Sequence, residues 1–238
     1  NIKTLNIPEK VQDIILTLEN RNSEFTIAPV SDTTKVTVEC ENGANLIVPS
    51  SNKNLNINGF GTINLNPKPE KEGEEPPKEL QVEKVIPVGK DGMKFESTVE
   101  NLILDTIQVF GRTSIEGPSK DGQTATCNHL YLEGRSNFVT KNIKLEKVKI
   151  GLLSRLLFDK TVDVNNSKFE IFYNRPTNEG QYPIRIEDAL PQFANTNIRI
   201  NRIELNKTLP EDQASNEKIL IAEFHNENSN YKEIMASC

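Results

Sequence analysis

Asn101-Leu102-Ile103-Leu104-Asp105-Thr106-Ile107-Gln108-Val109 holds two strand-like triplets, Leu102-Ile103-Leu104 and Ile107-Gln108-Val109, on either side of a two-residue corner, Asp105-Thr106. In a pleated strand the two outer aliphatic residues of a triplet share one face and the middle residue takes the other. The same figure returns at Ile143-Lys144-Leu145, Glu146-Lys147, Val148-Lys149-Ile150. It returns again at Ile198-Arg199-Ile200, Asn201-Arg202, Ile203-Glu204-Leu205. Looser copies with longer corners are Val162-Asp163-Val164 with Phe169-Glu170-Ile171, and Leu55-Asn56-Ile57 with Ile63-Asn64-Leu65.

The copies recur at a step. Ile27, Leu46 and Leu65 are 19 residues apart, as are Val36 and Leu55, Val38 and Ile57, Ile143 and Val162, Leu145 and Val164, and Ile150 and Phe169. A step near 20 with strand alternation is the mark of a coil wound repeatedly on one axis. Hairpin-linked antiparallel sandwiches have no need of it. Turn-formers punctuate the runs: Pro29, Asn42-Gly43, Pro49-Ser50-Ser51-Asn52 and Asn58-Gly59. The expectation is an all-β chain, a parallel solenoid of about 19-residue coils over residues 25–225. About nine coils would make a rod on the order of 40 Å at ordinary strand spacing.

Residues 1–24 read as an N-terminal cap, because Val11, Ile14, Ile15 and Leu18 have helical spacing after Pro8, with a strand over residues 14–18 as the alternative. Residues 66–79 carry no apolar side chain except proline and read as a solvated loop leaving the coil. A second polar excursion spans residues 117–123, and residues 151–158 read as the third strand and corner of a coil. Residues 226–238 read as a polar, irregular tail anchored by Tyr231 and Ile234.

The segments 54–65, 161–171 and 197–205 together resemble the right-handed parallel β-helix proteins. That superfamily includes pectate lyases, polygalacturonases, phage tailspikes and bacterial adhesins. The resemblance is one of rhythm over residues 25–225, and it implies a right-handed coil. It implies little about activity, since such folds host many functions. The aspartates with Gly-His-Gly of the polygalacturonases are missing, and no series of leucine-rich repeats supports the rival solenoid.

The chain has 238 residues, 35% of them hydrophobic, and a net charge of −6. So low an apolar share suits a solenoid, where each coil buries a thin column. The negative charge argues against nucleic acid, which needs a basic footprint. No apolar run approaches the roughly 20 residues of a membrane span. Cys40, Cys127 and Cys238 are too scattered for a disulfide framework. With no Cys-x-x-Cys and with His129 and His225 far apart, neither a metal site nor a cofactor is expected.

The middle residues of the triplets face solvent, and they carry the candidate chemistry. First strands offer Ile103, Tyr131, Lys144, Asp163, Arg185 and Arg199; second strands offer Gln108, Lys149, Glu170 and Glu204. Stacked charges such as Lys144 with Asp163, or Lys149 with Glu170, are the ordinary dress of a strand face and worth roughly 0.2–1 kcal/mol a pair. The functional alternative is a carbohydrate-binding strip of Tyr131, Lys144, Asp163, Arg185 and Arg199, in which Tyr131 gives a flat apolar face and the others pair with hydroxyls. Glycoside hydrolysis would need two carboxylates at defined separation, and spacing singles out no pair. His129 beside Tyr131 lacks an evident acid–base partner.

These features point to an extracellular or cell-surface binding and scaffold module, adhesin-like and glycan-contacting. Its partners would be a carbohydrate or a host or cell-surface protein. A polysaccharide lyase or glycoside hydrolase is the enzymatic alternative. A subunit of a larger fibre or tailspike, with self-association, is the structural one.

Overall fold

The computed structural model describes residues 4–5, 11–19, 24–27, 33–49, 54–69, 73–173, 183–187, 196–202, 218–225 and 233–237. Strands are its only regular elements. The first nine are β1 (Thr4–Leu5), β2 (Asp13–Leu18), β3 (Glu24–Ile27), β4 (Lys35–Cys40), β5 (Ala44–Pro49), β6 (Leu55–Gly59), β7 (Gly61–Lys68), β8 (Glu79–Pro87) and β9 (Met93–Ser97). Two long strands follow, β10 (Asn101–Glu116) and β11 (Thr124–Lys141). The rest are β12 (Lys144–Ile150), β13 (Arg155–Phe158), β14 (Lys168–Tyr173), β15 (Ile184–Glu187), β16 (Asn197–Arg202), β17 (Lys218–His225) and β18 (Glu233–Ser237).

Pairing is parallel throughout, except between β17 and β18. One ladder runs β2, β4, β6, β8, β10, β11, β12, β14, β16. Another runs β1, β3, β5, β7, β9, then the C-terminal halves of β10 and β11, then β13, β15, β17. The chain therefore crosses each ladder once per turn. It is a parallel β-solenoid.

The coils are roughly 22 residues long, not 19. The step from a residue to its partner is 18 for Leu130 to Val148, 21 for Val148 to Phe169 and 29 for Phe169 to Ile198. It is 19 at Val36–Leu55 and Leu46–Leu65, and the isolated Lys144–Asp163 bridge keeps that step. Two of the 19-residue steps slip. Leu46 pairs with Phe25, not Ile27, and Phe169 pairs with Val148, as matching the second triplets places it, and not with Ile150. Corners differ in length from coil to coil, and a parallel ladder registers strands whatever the length of the loop between them.

The Asp105-Thr106 corner is visible as a skipped beat. Leu102, Leu104, Ile107 and Val109 are buried, and both Asp105 and Thr106 lie on the outside within the unbroken ladder of β10. Asn128-His129 in β11 and Glu146-Lys147 in β12 repeat the break, and stacked corners of this kind bend the ladder into two faces. The first face carries Ile103, Thr126, Lys144 and Asp163; the second carries Gln108, Tyr131, Lys149, Glu170 and Arg199. The remaining ladder forms a third face.

One continuous core fills the coil, from Ile27 to Ile184, with Phe95, Phe138, Phe158 and Phe169 as its largest members. Interior hydroxyls serve carbonyls where the chain turns. Ser136 Oγ donates to the Val109 carbonyl at 2.9 Å, and the Ser167 hydroxyl donates to that of Leu145. Burying those carbonyls without a donor would cost on the order of 1–3 kcal/mol each.

Three local expectations change. The amphipathic helix expected over Val11–Leu18 is absent: Asp13–Leu18 is β2, paired with β4. Alternating β-branched and aliphatic residues satisfy a strand as well as a helix, and the neighbouring strand supplies the backbone partners. Residues 6–10 of the cap lie outside the described residues. In the polar segment 66–79, residues 66–68 belong to β7 and pair with Ile47, Val48 and Pro49. The tail is not wholly irregular, since β18 closes antiparallel on β17; Tyr231 lies outside the described residues. Residues 155–158 form the strand β13 as expected. Among the described residues no helix is long and apolar enough to cross a membrane.

Candidate functional site

The second face owes its chemistry to its columns. Parallel pairing stacks Thr106, His129, Lys147, Lys168 and Asn197 along the corner, each one strand from the next. Two residues further along each strand, Gln108, Tyr131, Lys149, Glu170 and Arg199 form a second column. Inward neighbours Leu130, Val148 and Phe169 are buried and hold the face in place.

These columns line a groove of about 420 Å³ between His129 and Arg199. Its cations are Lys147, Lys149, Lys168 and Arg199, against the single carboxylate of Glu170. The rings of His129 and Tyr131 are nearly parallel, 4° apart in plane with centroids 6.3 Å apart. Lys147 Nζ lies 3.3 Å from His129 Nε2, and Lys149 Nζ lies 5.0 Å from the Phe172 ring centroid. One end of the groove thus carries two parallel rings, and the rest is a field of ammonium and guanidinium groups in a chain of net charge −6.

A second depression, of about 400 Å³, lies on the first face beneath the excursion at residues 117–123. Gln123 Nε2 ties that excursion down, donating to the carbonyls of Ser97 and Val99 at 2.7 and 3.0 Å. Lys144 and Asp163 line it and are stacked as expected. Their charges are committed elsewhere. Lys144 pairs with Glu146 at 2.6 Å, and the hydrogen bond to Glu146 raises its pKa. Asp163 Oδ1 accepts from the Asn165 backbone N–H at 2.8 Å.

The five-residue strip is therefore divided. Tyr131 and Arg199 share the groove, Lys144 and Asp163 share the other depression, and Arg185 sits on the third face opposite Leu157. The residues passed over are Lys147, Lys168 and Asn197, and His129, singled out in the sequence only as an acid–base group, joins them in the groove. Each sits in the corner column; Lys147 and Lys168 end corners read in the sequence, whereas Asn197 precedes the Ile198 triplet, which the ladder sets beside the second triplet Phe169-Glu170-Ile171. Lys149 over Glu170 is the stacked pair expected. Glu204 lies outside the described residues, as do Asp188 and the side chain of Glu187, two further carboxylates the sequence offers for hydrolysis. Asp105 accepts hydrogen bonds from Thr106 at 3.3 Å and Asn128 at 2.9 Å, a corner role. Among the described residues no cluster of three or more His, Cys, Asp or Glu is placed to hold a metal ion.

No protein-family model matches the chain, and neither a curated protein nor a solved structure does. The class defined here is a parallel β-solenoid, established by its pairing alone.

Proposed function

We propose that this protein is an extracellular or cell-surface β-solenoid module that binds carbohydrate in the groove of its second face. The observation carrying this reading is the pair of parallel His129 and Tyr131 rings beside a bank of rotatable donors. Sugar rings present apolar C–H faces that pack on an aromatic face such as that of Tyr131, and their hydroxyls take donors and acceptors at the rim. Asn197 and Glu170 supply acceptors there, and the lysines supply donors.

The groove lining includes one carboxylate, whereas hydrolysis of a glycosidic bond uses two. That arrangement favours holding a glycan over cleaving it. A glycan array probed with the soluble protein tests the reading. Binding to at least one glycan class, weakened by Tyr131→Ala in a variant with an unchanged circular-dichroism spectrum, is the expected result. No binding to any class, or binding indifferent to Tyr131→Ala, would remove it.

A further inference from the structure

We infer that the glycan is sulfated and lies along the stacking direction of the coils; this rests on the carbohydrate reading above. Lys147 stands directly over Lys168 on successive strands, about 4.8 Å apart by ordinary strand spacing. Like charges directly opposite each other on a sheet are destabilising. The ion pairs among the described residues join Lys78–Glu100, Lys94–Glu96, Lys94–Glu116 and Lys144–Glu146, and none relieves Lys147 or Lys168. Elsewhere on the ladder opposite charges do stack, as where Glu170 separates Lys149 from Arg199. Among the described residues the corner column therefore holds a positive pair with no carboxylate in line with it, within a chain that is acidic as a whole.

An anion shared by the two ammonium groups resolves the repulsion. Its chemistry follows from the residues. Arginine presents a planar fork matched to a planar carboxylate, whereas lysine is a compact charge on a flexible stem with three rotatable donors. A sulfate ester has three terminal oxygens that fan outward and remain ionised across the working pH range, so it can accept from Lys147 and Lys168 together. Lys147 is anchored beside His129 Nε2, which leaves its other N–H donors for the ligand. Because Lys147 and Lys168 are register partners on neighbouring strands, a polymer following the coil axis meets the paired rings of His129 and Tyr131 first. It then meets Lys147, Lys149, Lys168 and Arg199 on successive strands.

The test compares the full chain against chondroitin sulfate and heparin oligosaccharides, polygalacturonate and neutral dextran, by titration calorimetry at low and high sodium chloride. Sulfated oligosaccharides should bind at least about tenfold tighter than polygalacturonate, and salt should weaken them. The double variant Lys147→Gln/Lys168→Gln should lose that preference by about tenfold or more, with its thermal midpoint unchanged or raised. Lys90→Gln, in an exposed turn away from the groove, should change nothing. Equal binding of polygalacturonate, salt-insensitive preference for dextran, or a double variant that binds as the parent does would overturn the sulfate inference and leave carbohydrate binding standing. Failure to bind any glycan overturns both.

Discussion

Cys40 and Cys127 show what the coil interior does to a single side chain. Burial pushes the Cys40 thiol up to about 12 from its ordinary 9.0. Burial raises Cys127 as well, with the nearby Asp105 charge adding to the effect and hydrogen bonds to the Ile107 and His129 backbone opposing it. A thiol whose folded pKa is raised favours unfolding once the unfolded chain can ionise. Stability should hold below about pH 9 and then fall by up to about 1.4 kcal/mol per pH unit for each thiol. Denaturant midpoints between neutral pH and about pH 10 check the sign, since an unchanged midpoint would contradict it. Alkylation of both thiols should also be far slower in the native protein than in denaturant. On the groove, Tyr131→Ala should weaken saccharide binding by about tenfold, or about 1.4 kcal/mol, measured by calorimetry.

Strands and their corners depend on residues that no other type can replace. Gly59 and Gly61 flank the β6–β7 turn with φ of 124° and 95°, a region that side chains rarely enter. A Cβ on Gly61 would meet the Gly43 nitrogen at 2.5 Å, and one on Gly59 would overlap the Cys40 carbonyl. Gly59→Ala should therefore destabilise by at least about 1–3 kcal/mol from backbone strain, read as a lowered midpoint in urea. Gly89 also has positive φ but open space around it, so Gly89→Ala should cost less. Phe169 is buried beneath the groove, paired with Val148 and Ile198. Phe169→Ala should cost about 3–5 kcal/mol and loosen the face that carries Lys168 and Glu170. If it left both stability and binding unchanged, the groove would not depend on the core below it.

Across the whole molecule, each coil touches mainly the coil before and the coil after, so stability spreads along the axis as a series of interfaces. The longest of these joins β10 to β11, which pair over most of both strands. Leu102, Leu104, Cys127 and Leu132 are buried there. Amides of β10 and β11 should exchange most slowly with deuterium, and those of β2 faster, because β2 carries the exposed Ile15 and only partly buried neighbours. Exchange followed by mass spectrometry would show the gradient; equal rates in the two regions would mean that the coil unfolds as one unit.

The parallel coil was legible in the residues because its cause is local and repeated. Leu102, Leu104, Ile107 and Val109 must face inward in every copy, and strand alternation marks them without reference to anything distant. Even the two-residue corner could be read, since Asp105-Thr106 breaks the alternation in the chain itself. Stacking Lys144 on Asp163 follows from the 19-residue step, and stacking Lys149 on Glu170, 21 residues apart, from matching second triplet to second triplet. Only the tertiary structure decided which columns share a face. Corners and excursions of unequal length move the step between 18 and 38 residues, so reading the first triplets as one column puts Arg185 and Tyr131 on a common strip that the ladder does not form. Backbone hydrogen bonding between strands sets the true register and brings His129, Lys147 and Lys168 into one line. Proximity across coils is a property of the ladder, and no interval along the chain contains it.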